Sequence, residues 1–379
     1  MAPAVLPHWY QFPAPQPGWH TAIGVMYIII GVLATTGNSV ALCMFTTIAS
    51  LRTRSNHLMT SLAISDLGMT LTQVPLLVAN SFSHRWVAPT WACQVYGFCG
   101  GLFGTASIMS LAMIASERRS VLGKVPDCAL GLRVTGPRII FVWVFSAIWM
   151  SLPFFGVSRF VTEGFMTSCT FDYISTDIVT RVYIGLSIVL CYVVPLFVII
   201  RCYCGIYKML SQLPEIAVHT KFGLPIKTIR ESLLRKKETQ LTRTIMILVV
   251  AWCLSWTPYT VVVILGMTGS RRLTPFVSVS CAIFAKTSAV YNPFIYGLAH
   301  QKFRKALKKK FGSWSKAWTP ARTSSNSVRT RDSSGLELRV MRRSSVTIRR
   351  GRLCQNCSPA VSGAGPARPI YAKNAEIFF

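Results

Sequence analysis

Long apolar runs separated by short charged stretches organise this chain. Seven of them lie near 21–46, 57–80, 91–117, 139–156, 179–207, 240–266 and 275–297. A helix crossing a hydrocarbon core of roughly 30 Å takes about 20 residues, and each run supplies enough. In lipid an unpaired backbone has no partner, so every run is predicted to be helical. The expected fold is an all-α membrane protein, a seven-transmembrane helix bundle over 21–298 preceded by an extracellular segment, 1–20. Beyond it, Phe303 and Leu307 lie four apart among Lys and Arg, the pattern of a short amphipathic eighth helix over 299–311 on anionic lipid. Residues 312–379 are rich in Ser, Thr, Arg and Gly without periodicity, and read as a disordered tail inside the cell.

Composition excludes the alternatives. Hydrophobic residues make up 51% and charged residues 14% of the 379, against about 25% charged in a soluble domain. The net charge of +28 sits between and after the apolar runs instead of coating a solvated surface, so no nucleic-acid partner is expected. Residues 1–20 hold no Lys or Arg and no apolar core. They are not a cleavable signal, and the first span is expected to act as an uncleaved anchor. With the N-terminus outside, the inner segments carry 32 Lys and Arg and the outer ones 4. That asymmetry puts the N-terminus outside and the tail in the cytosol, in a multi-pass cell-membrane protein. No internal repeat of the kind transporters carry is visible.

The costliest residue inside a span is Lys286, in the middle of the seventh run, seven positions before Pro293. It is too deep to snorkel to an interface. A structural ion pair and a reactive amine both remain open: an amine held neutral by apolar surroundings attacks aldehydes readily.

Landmarks on every span resemble rhodopsin-like G-protein-coupled receptors. They are Gly37-Asn38, Leu62-Ala63-x-x-Asp66, Cys93, Glu117-Arg118-Arg119, Trp143, Pro195 with Tyr203, Cys253-x-x-Trp256-x-Pro258-Tyr259 and Asn292-Pro293-x-x-Tyr296. Within that superfamily, Lys286 looks like the retinal-attachment lysine of opsins. Pro7-His8-Trp9, Glu163-Gly164-Phe165 through Tyr173, and Ala285-Lys286-Thr287-Ser288 are similar to invertebrate, especially arthropod, rhabdomeric opsins. The resemblance covers about residues 8–311. It implies a light-sensing receptor, not an enzyme, carrying 11-cis-retinal or a 3-hydroxy analogue as a protonated Schiff base. The implied partners are a heterotrimeric G protein of the Gq type, a receptor kinase and arrestin. The implied location is the photoreceptor microvillar membrane. Two rival readings are a non-visual opsin, acting as photoisomerase or chemosensor, and a diffusible-ligand receptor.

The resemblance also implies residue roles. Where vertebrate visual pigments place an acidic counterion, three residues after the third-span cysteine, this chain has the neutral Tyr96. Glu163, in the outer loop six residues before Cys169, matches the loop glutamate that acts as counterion in bistable opsins. Gln73 and Tyr96 are expected beside the Schiff base, with Gly104, Trp256 and Tyr259 in the pocket. Cys93 and Cys169 form the implied disulfide. Glu117, Arg118, Glu238, Tyr203, Asn292, Pro293, Tyr296 and Asp66 form the implied activation switch, with Arg118 paired to Glu117 and Glu238. Two departures bear on coupling: Arg119 stands where the family has an aromatic Tyr, and Gln301 stands where it has Pro. Cys354-x-x-Cys357 lacks a second pair at metal-ligand spacing, so no metal site is expected.

Overall fold

The computed structural model describes residues 5–123, 135–211, 226–299 and 303–310. Six helices or helix pairs among these are long and apolar enough to cross a membrane. They are α1 (Pro17–Thr47), α2 (Arg54–Phe82), α3 (Thr90–Gly123), α4 (Thr135–Ser151), α5 with α6 (Ile178–Ile188 and Val194–Ser211) and α7 (Ile226–Met267). A single wide turn, Val189–Val193, joins α5 to α6 in one span. The seventh span is built from two shorter helices, α8 (Pro275–Lys286) and α9 (Ser288–Ala299). The continuous seventh helix expected from the sequence is thus broken at Thr287, directly after Lys286. Residues 303–310 form a further helix, α10.

Several edges depart from the apolar runs, because a helix continues wherever its backbone bonds continue, in lipid or not. The sixth begins at Ile226 instead of 240, so Glu238 sits three turns into α7 instead of at its start. The fourth ends at Ser151 and tightens into a short turn, Leu152–Phe155, where Pro153 removes a donor. Asp177 starts α5 by accepting the Thr180 N–H at 2.9 Å, and Thr274 starts α8 by accepting from Val277.

The second connection after α4 is not helical. Strands β1 (Phe160–Glu163) and β2 (Ser168–Phe171) pair antiparallel with Glu163 opposite Ser168, a short hairpin added to the expected helix bundle. The turn between them needs left-handed backbone at Gly164 (φ +55°) and Met166 (φ +58°). At Gly164 a Cβ would also come 2.6 Å from Val279, so glycine is required twice over. The Cys93–Cys169 disulfide ties β2 to α3 and lays the hairpin across one end of the bundle.

Packing centres on α3, the most enclosed span, which meets α2, α4, α6 and α7. Large apolar side chains such as Ile29, Val32, Phe197 and Leu254 point outward. That exposure would be a liability in water and is the expected face toward lipid. Residues 212–225, where the third inner loop falls, and 311–379, with the expected tail, lie outside the described residues.

Candidate ligand-binding site at Lys286 and Glu163

The hairpin positions a carboxylate where sequence spacing alone would not put one. Glu163 ends β1, only 2% exposed, under the turn that Gly164 makes. Its Oε2 accepts from the hydroxyls of Tyr173 (3.1 Å), Tyr259 (3.1 Å) and Ser278 (3.3 Å). Its Oε1 accepts from Ser168 at 3.4 Å. These donors come from β2, the segment after it, α7 and α8, so the carboxylate is where the hairpin meets two spans. Burial pushes the Glu163 carboxyl above its ordinary value; the charge of Lys286 and the three hydroxyl donors to Oε2 pull it back only in part. The opposite charge that acts on it is the amine of Lys286.

Lys286 closes α8. Two residues on, the Ser288 hydroxyl accepts the Trp256 indole N–H at 3.0 Å. Trp256 stacks on Trp252 with ring centroids 5.4 Å apart and 16° between planes. Together they form one wall of a cleft between α3, α4, α5, the Val189–Val193 turn, β2 and α7, also lined by Gly104, Ile184, Cys191 and Tyr259. A mostly apolar, aromatic lining with a few polar groups is the character of a small-molecule site. Gly104 is required for its width, because a Cβ there would come 2.9 Å from Trp256. Tyr259, on the wall of this cleft, bonds Glu163, and that carboxylate is electrostatically coupled to Lys286.

The other expected neighbours divide. Tyr259 joins the cavity to Glu163. Tyr96 is 2% exposed, and its hydroxyl is enclosed without a hydrogen-bond partner. Gln73 reaches the Tyr96 carbonyl at 3.4 Å, and its own carbonyl oxygen is unpartnered. Sequence reasoning gave no role to Tyr173, Ser278 or Ser288; nothing in their spacing marks them, since each acts across an interface between elements.

At the opposite end, Arg118 lies 3.7 Å from Glu117, both nearly inaccessible. The expected Glu238 partner has its side chain outside the described residues. Asn292 donates to Asp66 at 2.6 Å. Pro293 fits against Gly37, where a Cβ would meet it at 2.8 Å. Among the described residues, the enclosed hydroxyls of Tyr203 and Tyr296 have no hydrogen-bond partner. Arg119 is exposed, its guanidinium over Gly205 of α6.

Residues 37–296 match the family model of the 7 transmembrane receptor (rhodopsin family). The chain belongs to the rhodopsin family of seven-transmembrane receptors. Among its relatives, the rhodopsin of the ant Cataglyphis bombycina is 36% identical, with 87% of this chain and 88% of that protein covered. The lateral eye opsin of Limulus polyphemus is 35% identical over 81% of this chain and 83% of its own. The crystal structure of squid rhodopsin superposes with a TM-score of 0.77 at 33% identity, covering 83% of this chain and 91% of that one. Membership of the rhodopsin family makes the protein a multi-pass membrane receptor of the light-sensing, G-protein-coupled kind and not an enzyme. The arthropod character expected from the hairpin and seventh-span motifs agrees with these relatives.

Proposed function

We propose that this receptor is a light sensor that carries retinal covalently on the Lys286 amine, with Glu163 as the counterion, and that it activates a Gq-type G protein. The observation that carries the reading is Glu163 itself: a buried carboxylate, held by four hydroxyls, electrostatically coupled to the lysine of the seventh span. The residues present suit the group: the apolar cleft that Gly104 keeps open is lined by Tyr259, whose hydroxyl bonds Glu163, the carboxylate coupled to Lys286. Retinal, when bound, supplies the visible absorption and a light-driven change of shape.

The chain's own residues supply the rest. Glu163 balances positive charge at the Lys286 nitrogen, which an apolar interior otherwise disfavours. Trp256 stands against the slot and is bonded to Ser288, so pressure on its ring is felt in both α7 and α9. Pro258, two residues on, lacks an N–H and weakens α7 there, permitting the end beyond Trp252 to swing. Opening that end frees Arg118 from its closed arrangement and gives the unpartnered hydroxyls of Tyr203 and Tyr296 room to find partners. The Gq assignment rests on the arthropod relatives. A receptor kinase and arrestin are proposed to act on the tail, where Arg342-Arg343-Ser344-Ser345 and the serines and threonines of 323–334 offer phosphorylation sites among cations.

The test is a spectrum of the full chain reconstituted with 11-cis-retinal, before and after illumination. A visible band that light shifts, and that Lys286→Ala abolishes, supports the reading. A band of unchanged position in Lys286→Ala overturns the attachment site.

A further inference from the structure

At the hairpin end of the bundle two histidines distant in sequence face one another. The rings of His20 and His84 have centroids 5.2 Å apart with 41° between their planes. His20, in the first turn of α1, is 4% exposed, and its Nδ1 is enclosed without a hydrogen-bond partner. His84 is exposed, in the connection between α2 and α3, with φ of +56°, a left-handed conformation that a non-glycine residue adopts only when its surroundings impose it. The surroundings are on hand. The His84 N–H donates to Ser81 O and the Arg85 N–H to Asn80 O, both at 3.2 Å. The Asn80 side chain in turn bonds Val87 N and Thr167 O. Ser81 is fully buried, and its hydroxyl also lacks a partner. On the other side of His20, Phe165 of the hairpin turn packs at 5.1 Å.

Two imidazoles, one with an enclosed free nitrogen and one held in a costly backbone conformation facing it, make a ligand pair for a borderline divalent metal ion. Imidazole nitrogen binds Zn²⁺ at about 2.0–2.1 Å, and neutral histidine suits Zn²⁺ and Cu²⁺ alike. We propose that His20 and His84 together bind a Zn²⁺ ion on the face of the receptor that the charge distribution puts outside the cell. Among the described residues no third His, Cys, Asp or Glu joins them, so water completes the shell. The ion joins α1 to the α2–α3 connection. Through Phe165, it also steadies the hairpin that carries Glu163.

The test uses the full chain without retinal, in detergent, with Cys354→Ser and Cys357→Ser removing the tail thiols. It is therefore independent of whether Lys286 binds retinal. Cu²⁺ serves as the spectroscopic probe, because electron paramagnetic resonance counts coordinated imidazole nitrogens. The expected spectrum shows two, with one remaining in His84→Asn, a change that tolerates the left-handed backbone in an exposed loop. Zn²⁺ should displace the copper and raise the melting temperature, and His84→Asn should weaken Zn²⁺ binding on the order of 10-fold or more. One nitrogen or none in the parent protein overturns the site, as does a copper spectrum or Zn²⁺-induced thermal shift that His84→Asn leaves unchanged.

Discussion

The Tyr259 hydroxyl lies 3.1 Å from Glu163 Oε2 and 2.8 Å from Thr170 Oγ1, so one phenol of α7 holds both strands of the hairpin. The span proposed to swing on activation is thereby bonded to the group proposed to sense the chromophore's charge. A change at either end of that bond is felt at the other.

Glu163→Gln should turn the retinal-bound protein from visible- to ultraviolet-absorbing near neutral pH. The charge on the Lys286 nitrogen then has no formal partner in an apolar site. Tyr259→Phe removes one of four donors and should give a smaller effect, and Tyr96→Phe, whose hydroxyl touches none of these oxygens, the least. Absorption spectra across pH rank the three, and a larger shift for Tyr96→Phe than for Glu163→Gln would reject the assignment.

Without retinal the same carboxylate has a pH signature. Its value is raised in the folded protein, so the folded state holds this proton more tightly than the unfolded chain does. The group therefore favours folding at acid pH and loses that contribution as pH rises through the raised value. Glu163→Gln apoprotein should melt higher than the parent at neutral pH, with the gap closing as pH falls toward the usual carboxylate range. A gap of constant size across pH would show that the substitution acts through packing instead.

Gly104→Val should narrow the cavity by driving a side chain into Trp256, since even a lone Cβ would sit 2.9 Å from that ring. Overpacking of this kind costs about 1–3 kcal/mol. Pigment yield with 11-cis-retinal should drop sharply while surface expression is retained. Full yield with an unshifted band would mean that the slot beside Trp256 is not where the chromophore lies.

Cys93→Ser should release β2 from α3. The bond closes 76 residues, and the chain-entropy estimate for that separation is about 4 kcal/mol. Lower thermal stability should come with a less stable visible band, because the hairpin that the bond pins carries Glu163. Loss of stability with an unaltered band would uncouple the hairpin from the counterion.

Removing residues 313–379 should leave the spectrum unchanged and prolong signalling after a light pulse, because the proposed phosphorylation sites go with the tail. Shut-off kinetics equal to the full chain's would reject the tail as the arrestin site.

The seven spans were legible in the chain because lipid leaves a backbone no choice: a run of some 20 apolar residues must bond to itself. Lys286 was legible for the same reason, as a charge where charge is expensive. What lipid does not dictate was not legible. The break after Lys286 and the start of α7 at Ile226, well before its apolar run, depend on backbone bonding outside any hydropathy signal. The hairpin is a short pair of strands in a polar connection, and only its register and the Cys93–Cys169 bond carry Glu163 under the turn. Tyr173, Ser278 and Ser288 acquire roles only where β2, α7, α8 and α9 meet. His20 and His84 become neighbours only because α1 packs on α2 and Asn80 holds the intervening turn. Hydrophobicity is a property of each segment and can be read one residue at a time. A site is a property of several segments at once, and only their packing brings its atoms together.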